Sequence, residues 1–168
     1  FRYSLKSLST DVELKEEIAL VDNYISIMNV RFSGDIHYEK SIDCDITGVR
    51  VPCMILQPAV ENAISYGIRN ISWEGKILLV VHREGNKILI SIRDNGIGIS
   101  PERLQDIRSG KILHTSPDKN SNGVGLGNVQ NRLNLYYNKE NLFSIESEGE
   151  NMGTLVTIRI PVEEEPYV

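Results

Sequence analysis

Apolar residues recur at Leu14, Ile18, Val21, Ile25, Met28 and Phe32, stepping by four and three. That spacing lines them up along one side of a helix, predicted from about 13 to 32. Thr10 and Asp11 stand ahead of it as N-caps, and Gly34 ends it. Such a helix either packs on its own domain or connects to a coiled or bundled element upstream. Two short extended stretches follow, 36–42 and 45–50. Pro52 then introduces an apolar segment reaching Tyr66, in which Pro58 either starts a helix afresh or kinks one. In both cases α-helical spacing sets Asn62, Tyr66 and Arg69 along one face.

Ile77–Arg83 and Lys87–Arg93 read as strands joined through Glu84-Gly-Asn-Lys87, a hairpin signal. Ile88, Ile90 and Ile92 alternate with Leu89, Ser91 and Arg93, which gives the sheet one buried face. Pro101 opens a short helix, 101–108. From Ser109 to Asn122 the chain is rich in Ser, Gly, Pro, Asp, Lys and Asn, a loop of functional or mobile length. Leu126, Val129, Leu133 and Tyr136/Tyr137 mark an amphipathic helix. Phe143 and Ile145 begin a strand, the run Glu148 to Gly153 turns it back, and Val156, Ile158 and Ile160 form the last strand before Pro161. Mixed helices and hairpins place the chain in the α+β class, a largely antiparallel sheet with helices on one face.

The length of 168 residues fits one domain with an appended helical element. A composition 40% hydrophobic and 24% charged is that of an ordinary globular chain. The net charge of −5 argues against a general nucleic-acid binder, so an anionic ligand would be held by backbone amides, a metal or a few cations. No apolar run reaches the roughly 18 residues of a membrane span, and no signal peptide is evident. The chain begins at Phe1 rather than Met, which suggests a piece of a longer protein. Cys44 and Cys53 lack metal-ligand spacing and read as thiols in a reducing compartment.

Three stretches carry chemistry. Asp94-Asn-Gly-Ile-Gly98 ends a strand with a carboxylate and two glycines. The acid can accept from an exocyclic amine such as that of adenine, while Gly96 and Gly98 let a ring lie against the main chain. Thr154, at the start of the last strand, can add its hydroxyl. Gly123-Val-Gly-Leu-Gly-Asn128 opens a helix, whose free N–H groups and positive dipole end suit phosphate. Taken alone, that run fits a structural glycine turn equally well. Asn62 presents an amide oxygen that, with waters and phosphate oxygens, suits Mg²⁺, and a buried, satisfied amide is the other reading. Glu61 beside it can polarise a water or stay solvated. P-loop, dinucleotide-fingerprint and protein-kinase motifs are all missing.

In order, Asn62, Asp94-x-Gly-x-Gly98 and Gly123-x-Gly-x-Gly127 resemble the N, G1 and G2 boxes of the GHKL ATPase superfamily, which holds histidine kinases, DNA gyrase, a chaperone branch and mismatch-repair proteins. Arg2-Tyr-Ser-Leu5, Leu14-x-Glu-Glu17, Tyr24-x-x-Ile27, Arg31-Phe32, Gln57-Pro58, Glu61-Asn62-Ala63 and Gly125-Leu-Gly-Asn-Val129 with Arg132-Leu133 resemble the bacterial membrane sensor kinases whose N box reads Gln-Pro-x-x-Glu-Asn. The resemblance implies a Bergerat-type two-layer sandwich, a mixed and mostly antiparallel sheet backing helices, with ATP between them. It implies Glu61 and Asn62 at the catalytic position, Mg²⁺ on Asn62, the adenine amine on Asp94 with Thr154 beside it, and a base pocket shaped by Gly96 and Gly98. Gly123, Val124, Gly125, Leu126, Gly127 and Asn128 would cradle the phosphates, and residues from about 100 to 122 would form an ATP lid.

Two departures stand out. Pro58 occupies a place where many histidine kinases carry a second Asn or an acid, and Ser65-Tyr66 stands where a Lys-His pair is common. His37, His82 and His114 lack the surroundings of a phosphate acceptor, so the acceptor helix is expected upstream of Phe1. The implied organisation is a helical connector at 1–34, an ATP-binding catalytic domain at 35–162 and an acidic tail at 163–168. The implied partners are an acceptor-His dimerisation domain of the same protein, a response regulator and a second copy in the full-length dimer. The segment would be the cytoplasmic part of a bacterial inner-membrane protein, itself touching neither membrane nor nucleic acid. An ATP-hydrolysing clamp and a nucleotide-sensing module without catalysis are the rival functions on the same fold.

Overall fold

Alternation in the strands predicts rows of side chains crossing the sheet, and the rows exist. The computed structural model describes residues 11–109 and 124–162. Its main sheet has the order β2-β4-β5-β7-β6, from β2 (Ile36–Ile42), β4 (Gly75–Glu84), β5 (Lys87–Asp94), β7 (Thr154–Pro161) and β6 (Phe143–Glu146). β2 runs parallel to β4 and the other pairs are antiparallel. In register, Leu79, Ile92 and Val156 form one buried row, and Val81, Ile90 and Ile158 the next. A third row reads Ile77, Asp94 and Thr154, so a carboxylate occupies a place that the pattern gives to an apolar side chain.

Helices cover this face. α1 (Leu14–Arg31) buries Leu14, Ile18, Val21 and Ile25, with Met28 and Phe32 half-buried against the same core. Its N-cap is Glu13, which exchanges hydrogen bonds with the Glu16 position in a capping box. The expected cap Asp11 instead lies in β1 (Asp11–Glu13), which pairs antiparallel with β3 (Arg50–Pro52). Thr10, the other expected cap, lies outside the described residues. After α1, Gly34 sits at φ +82° and donates its N–H to the Asn29 carbonyl at 2.8 Å, so the helix ends there as expected.

The extended stretch expected at 45–50 is a turn. Asp45 Oδ1 accepts the Thr47 N–H at 2.9 Å, and Val49 N–H reaches the Ile46 carbonyl at 3.1 Å across Gly48. Local side chain-to-backbone bonding of this kind competes with sheet pairing, and pairing begins only at Arg50. Pro58 starts a helix afresh: α2 (Gln57–Asn62) has Leu56 as N-cap and proline in its first turn. The same run continues as a π-helix over Ala63–Ile68. Its i→i+5 bonding overrides the α-spacing expected for Asn62, Tyr66 and Arg69. The remaining helices are α3 (Pro101–Arg108), capped by the Ser100 hydroxyl at the Arg103 N–H, and α4 (Val124–Tyr137), which buries Leu126, Val129 and Leu133. Of the lid expected from about 100 to 122, the structure describes α3 and Ser109, while 110–122 and the tail from 163 lie outside the described residues.

Candidate functional site

Asp94 closes β5 and is 6% exposed. Burial pushes its carboxyl up to about 6, against an opposing pull from the backbone amides of Gly96 and Thr154 that bond it. The Gly96 N–H reaches Oδ1 at 2.9 Å. Opposite it in the ladder stands Thr154, itself buried, and Gly153 donates its N–H to the Gly96 carbonyl at 3.1 Å.

The third wall is the π-helix. Its Gly67 carbonyl accepts the Ile97 N–H at 2.9 Å. A methyl on Gly67 would sit 2.9 Å from Asp94 Oδ1, and a methyl on Gly96 would overlap the Gly67 carbonyl. Two facing glycines thus let helix and turn approach backbone to backbone. Gly98, at φ +68°, places its Cα against the Gly149 carbonyl with the same lack of room.

Asn95 stitches the turn to the sheet. Its Oδ1 accepts the Lys76 N–H at 2.7 Å, its Nδ2 donates to the Glu74 carbonyl at 2.8 Å, and the Trp73 indole donates to the Asn95 carbonyl at 2.8 Å. Ser147 does similar work from the other side: its hydroxyl accepts the Ile99 N–H at 2.9 Å and donates to the Gly153 carbonyl at 2.7 Å. Gly67, Trp73 and Ser147 were not singled out from sequence. Gly67 carried a usable signal, a glycine inside an apolar helical run five residues beyond Asn62.

Two hollows, of about 310 Å³ and 400 Å³, touch Asp94 and Thr154 from the outer side of the sheet. The first is lined by His37, Glu39, Leu78 and Arg93 besides Asp94, and the second by Arg93, Arg108, Glu146 and Leu155 besides Thr154, so both lie along the Leu78, Arg93, Leu155 and Glu146 row. Asn62 lines neither of them, but it lies half-buried on the helical run that carries Gly67 and ends at Ile68. Asp94, Gly96, Gly98 and Thr154 are therefore brought together, with Asn62 one short helical stretch away. Glu61 faces elsewhere: it accepts the Gln57 amide at 3.1 Å and its charge, after burial, helps to raise the pKa of Tyr24 on α1. Ser65 hydrogen-bonds the same Tyr24 phenol.

α4 contacts α2. Leu126 points into the core, Gly127 is half-buried and Asn128 exposed. Val124 and Gly125 form its first residues, while Gly123 lies outside the described residues. The first N–H groups of a helix have no partner within it, so this end offers donors to an anion.

Comparison with known proteins gives this geometry a family. The model described as "Histidine kinase-, DNA gyrase B-, and HSP90-like ATPase" matches residues 50–164, and that described as "Histidine kinase" matches residues 1–36. Sensor protein kinase HptS of Staphylococcus aureus (strain bovine RF122 / ET3-1) is 33% identical over 161 residues, 96% of this chain and 30% of its own length. The same protein from strain USA300 matches equally, at 33% over 161 residues. The chain thus spans 30% of the length of these relatives. Among solved structures, the catalytic domain of histidine kinase ThkA has a TM-score of 0.61 at 20% identity, covering 90% of this chain and 94% of that one. Acinetobacter baumannii histidine kinase AdeS has a TM-score of 0.61 at 18% identity, covering 92% and 68%. With its family model matched across β4 to β7, both glycine runs and the Asn62 helix, this chain belongs to the histidine kinase-, DNA gyrase B- and HSP90-like ATPase family.

Proposed function

We propose that the chain is the ATP-binding catalytic domain of a membrane sensor histidine kinase and hands the γ-phosphate of ATP to a histidine on an acceptor helix of the same protein. The observation that carries this reading is Asp94, a buried carboxylate at the end of an apolar row, backed by glycine backbone on two sides. Adenine would suit it, because the exocyclic amine of the base donates to a carboxylate oxygen. Thr154 stands across the ladder as a second polar group for the base.

Asn62 would hold Mg²⁺ through its amide oxygen. Among the described residues no three His, Cys, Asp or Glu side chains gather as a metal site, which suits an ion that uses one or two protein ligands plus phosphate oxygens. When bound, that ion neutralises phosphate charge. The chain's own groups orient: Asp94 fixes the base, and the N-terminal amides of α4, with the glycine run from Gly123 to Asn128, hold the phosphates. Glu61, turned here toward Gln57 and Tyr24, would act on a water beside Asn62 only after its side chain swings away from them. An acceptor imidazole then attacks in line, and no strong protein base is needed for phosphoryl transfer.

Residues 1–34 form the connector to the acceptor and dimerisation domain, 35–162 the catalytic domain and 163–168 a tail. The match of residues 1–36 to the histidine kinase model supports the connector. Among the described residues no helix is long and apolar enough to cross a membrane, and anchoring belongs to the rest of the protein. A second copy in the dimer and a response regulator complete the set of partners. Calorimetric titration with ATP and Mg²⁺ tests the reading: wild type binds, Asp94→Ala does not, and Asn62→Ala loses the metal-dependent part. Unchanged ATP affinity in Asp94→Ala refutes it.

A further inference from the structure

Glu17 lies on the buried seam of α1, 2% exposed between Leu14, Ile18 and Val21. A carboxylate taken out of water is tolerated only when hydrogen bonds replace its hydration. Three consecutive backbone amides do so: Met54 N–H at 2.7 Å on Oε1, then Ile55 N–H at 3.1 Å and Leu56 N–H at 3.3 Å on Oε2. Leu56 is the N-cap of α2, so these are the donors immediately ahead of the helix that carries Asn62. From the opposite side, Arg132 of α4 donates through Nη1 to the carbonyl oxygens of Cys53 and Met54, each at 2.8 Å. One four-residue turn, 53–56, is therefore held by an anion on its amides and a cation on its carbonyls.

The helical run that starts at this turn is fixed again at its far end, where Gly67 meets Ile97 and the Asp94 carboxylate. Asn62 lies between the two anchorages. The far one belongs to the base pocket, whereas the near one depends on Glu17 and Arg132.

We infer that Glu17 and Arg132 are positioning residues that act through the 53–56 turn to set the Asn62 amide, and so govern the metal-dependent part of nucleotide binding without touching base recognition. The inference rests on Asn62 being the Mg²⁺ ligand, as proposed above. Mg²⁺ demands near-ideal octahedral geometry at short distances, so a small displacement of one ligand is felt strongly. Groups that orient a ligand from behind are worth about 10–100-fold in metal affinity. Adenine on Asp94 should be indifferent, because Gly67 and the sheet hold that pocket independently.

Glu17→Gln keeps the volume but turns an amide donor toward backbone donors, and Arg132→Met keeps the length while removing the donors. The experiment titrates the 168-residue chain with ATP plus Mg²⁺, ATP plus chelator, and ADP plus chelator, beside a melting curve for each variant. Each substitution is expected to weaken Mg²⁺-ATP binding about tenfold or more, with metal-free ADP binding held within about twofold. The double variant should lose no more than the worse single one, since both act through one turn. Equal losses with and without metal, no loss at all, or fully additive losses overturn the inference. Should Glu17→Gln fail to fold, the half-exposed Arg132→Met decides by the same ratio. A wild-type chain without ATP affinity would instead bring down the nucleotide reading itself, with this inference included. Metal-dependent wild-type binding with unchanged variants removes the inference alone.

Discussion

Replacing Asp94 by Asn should abolish the base contact and yet stabilise the unliganded protein. The native carboxyl titrates at about 6 against an ordinary value of 3.8, which corresponds to about 3 kcal/mol of penalty once the group is ionised. Between these two values the native state holds more protons than the unfolded one, so the contribution of this residue to stability falls as pH rises through that window. Below 3.8 the penalty is absent and above about 6 it is complete. Asparagine removes the charge and can still accept the Gly96 N–H, now 2.9 Å from Oδ1. It also buries an amide group in need of an acceptor, at a cost of about 1–2 kcal/mol. The net gain is about 1–2 kcal/mol near pH 8, which for a chain of this size raises the melting temperature by about 2–8 °C.

Scanning calorimetry of both proteins from about pH 8 down to about pH 4 measures the effect. The gap should be largest at the alkaline end and shrink as the native carboxyl of the wild type takes up its proton. A variant melting below wild type at about pH 8, with a gap independent of pH, would refute the idea that desolvation dominates at Asp94.

Three further outcomes follow from the same geometry. ATP affinity of the wild type should fall on acidification below about 6, approaching tenfold per pH unit, because the amine of the base needs the ionised acceptor; calorimetric titration at several pH values measures this slope. Gly96→Ala drives a methyl into the Gly67 backbone, and should cost about 1–3 kcal/mol by thermal or urea unfolding, together with loss of ATP binding. Trp73, the one tryptophan of the chain, donates to the carbonyl next to Asp94, so its emission should change saturably with ATP in wild type and stay constant in Asp94→Ala.

Periodicity carried most of the fold because the burial that shapes these elements is local to them. The alternation of Ile88, Ile90 and Ile92 is the alternation of the sheet face, and the step of Leu14, Ile18, Val21 and Ile25 is the buried seam of α1. The turn at Asp94 and Gly96 was also legible, since a carboxylate followed by glycines at a strand end is a local arrangement. What could not be read depends on distant partners. β1 is three residues long and owes its conformation to Arg50–Pro52, about forty positions away, so Asp11 passed for a helix cap. The π stretch at Ala63–Ile68 is tied to Gly67 meeting Ile97 across the fold, and Trp73 and Ser147 bond backbone groups far along the chain.

On the proposed function, Glu17 and Asp94 would be a structural carboxylate and a binding one in the same chain. Both are almost fully buried, at 2% and 6% exposure, and both sit where apolar side chains belong. Glu17 accepts three backbone N–H groups from a single turn. Asp94 is bonded by the backbone amides of only two residues, and burial still outweighs them in setting its titration. A carboxylate left short of donors in a glycine-walled pocket destabilises the empty protein and rewards whatever brings the missing donor, which is the trade between stability and activity expected of a binding site. By this argument donor count, more than burial, tells the two roles apart. Replacing the acid by its amide should then act in opposite senses, with Glu17→Gln lowering the melting temperature of the unliganded chain and Asp94→Asn raising it.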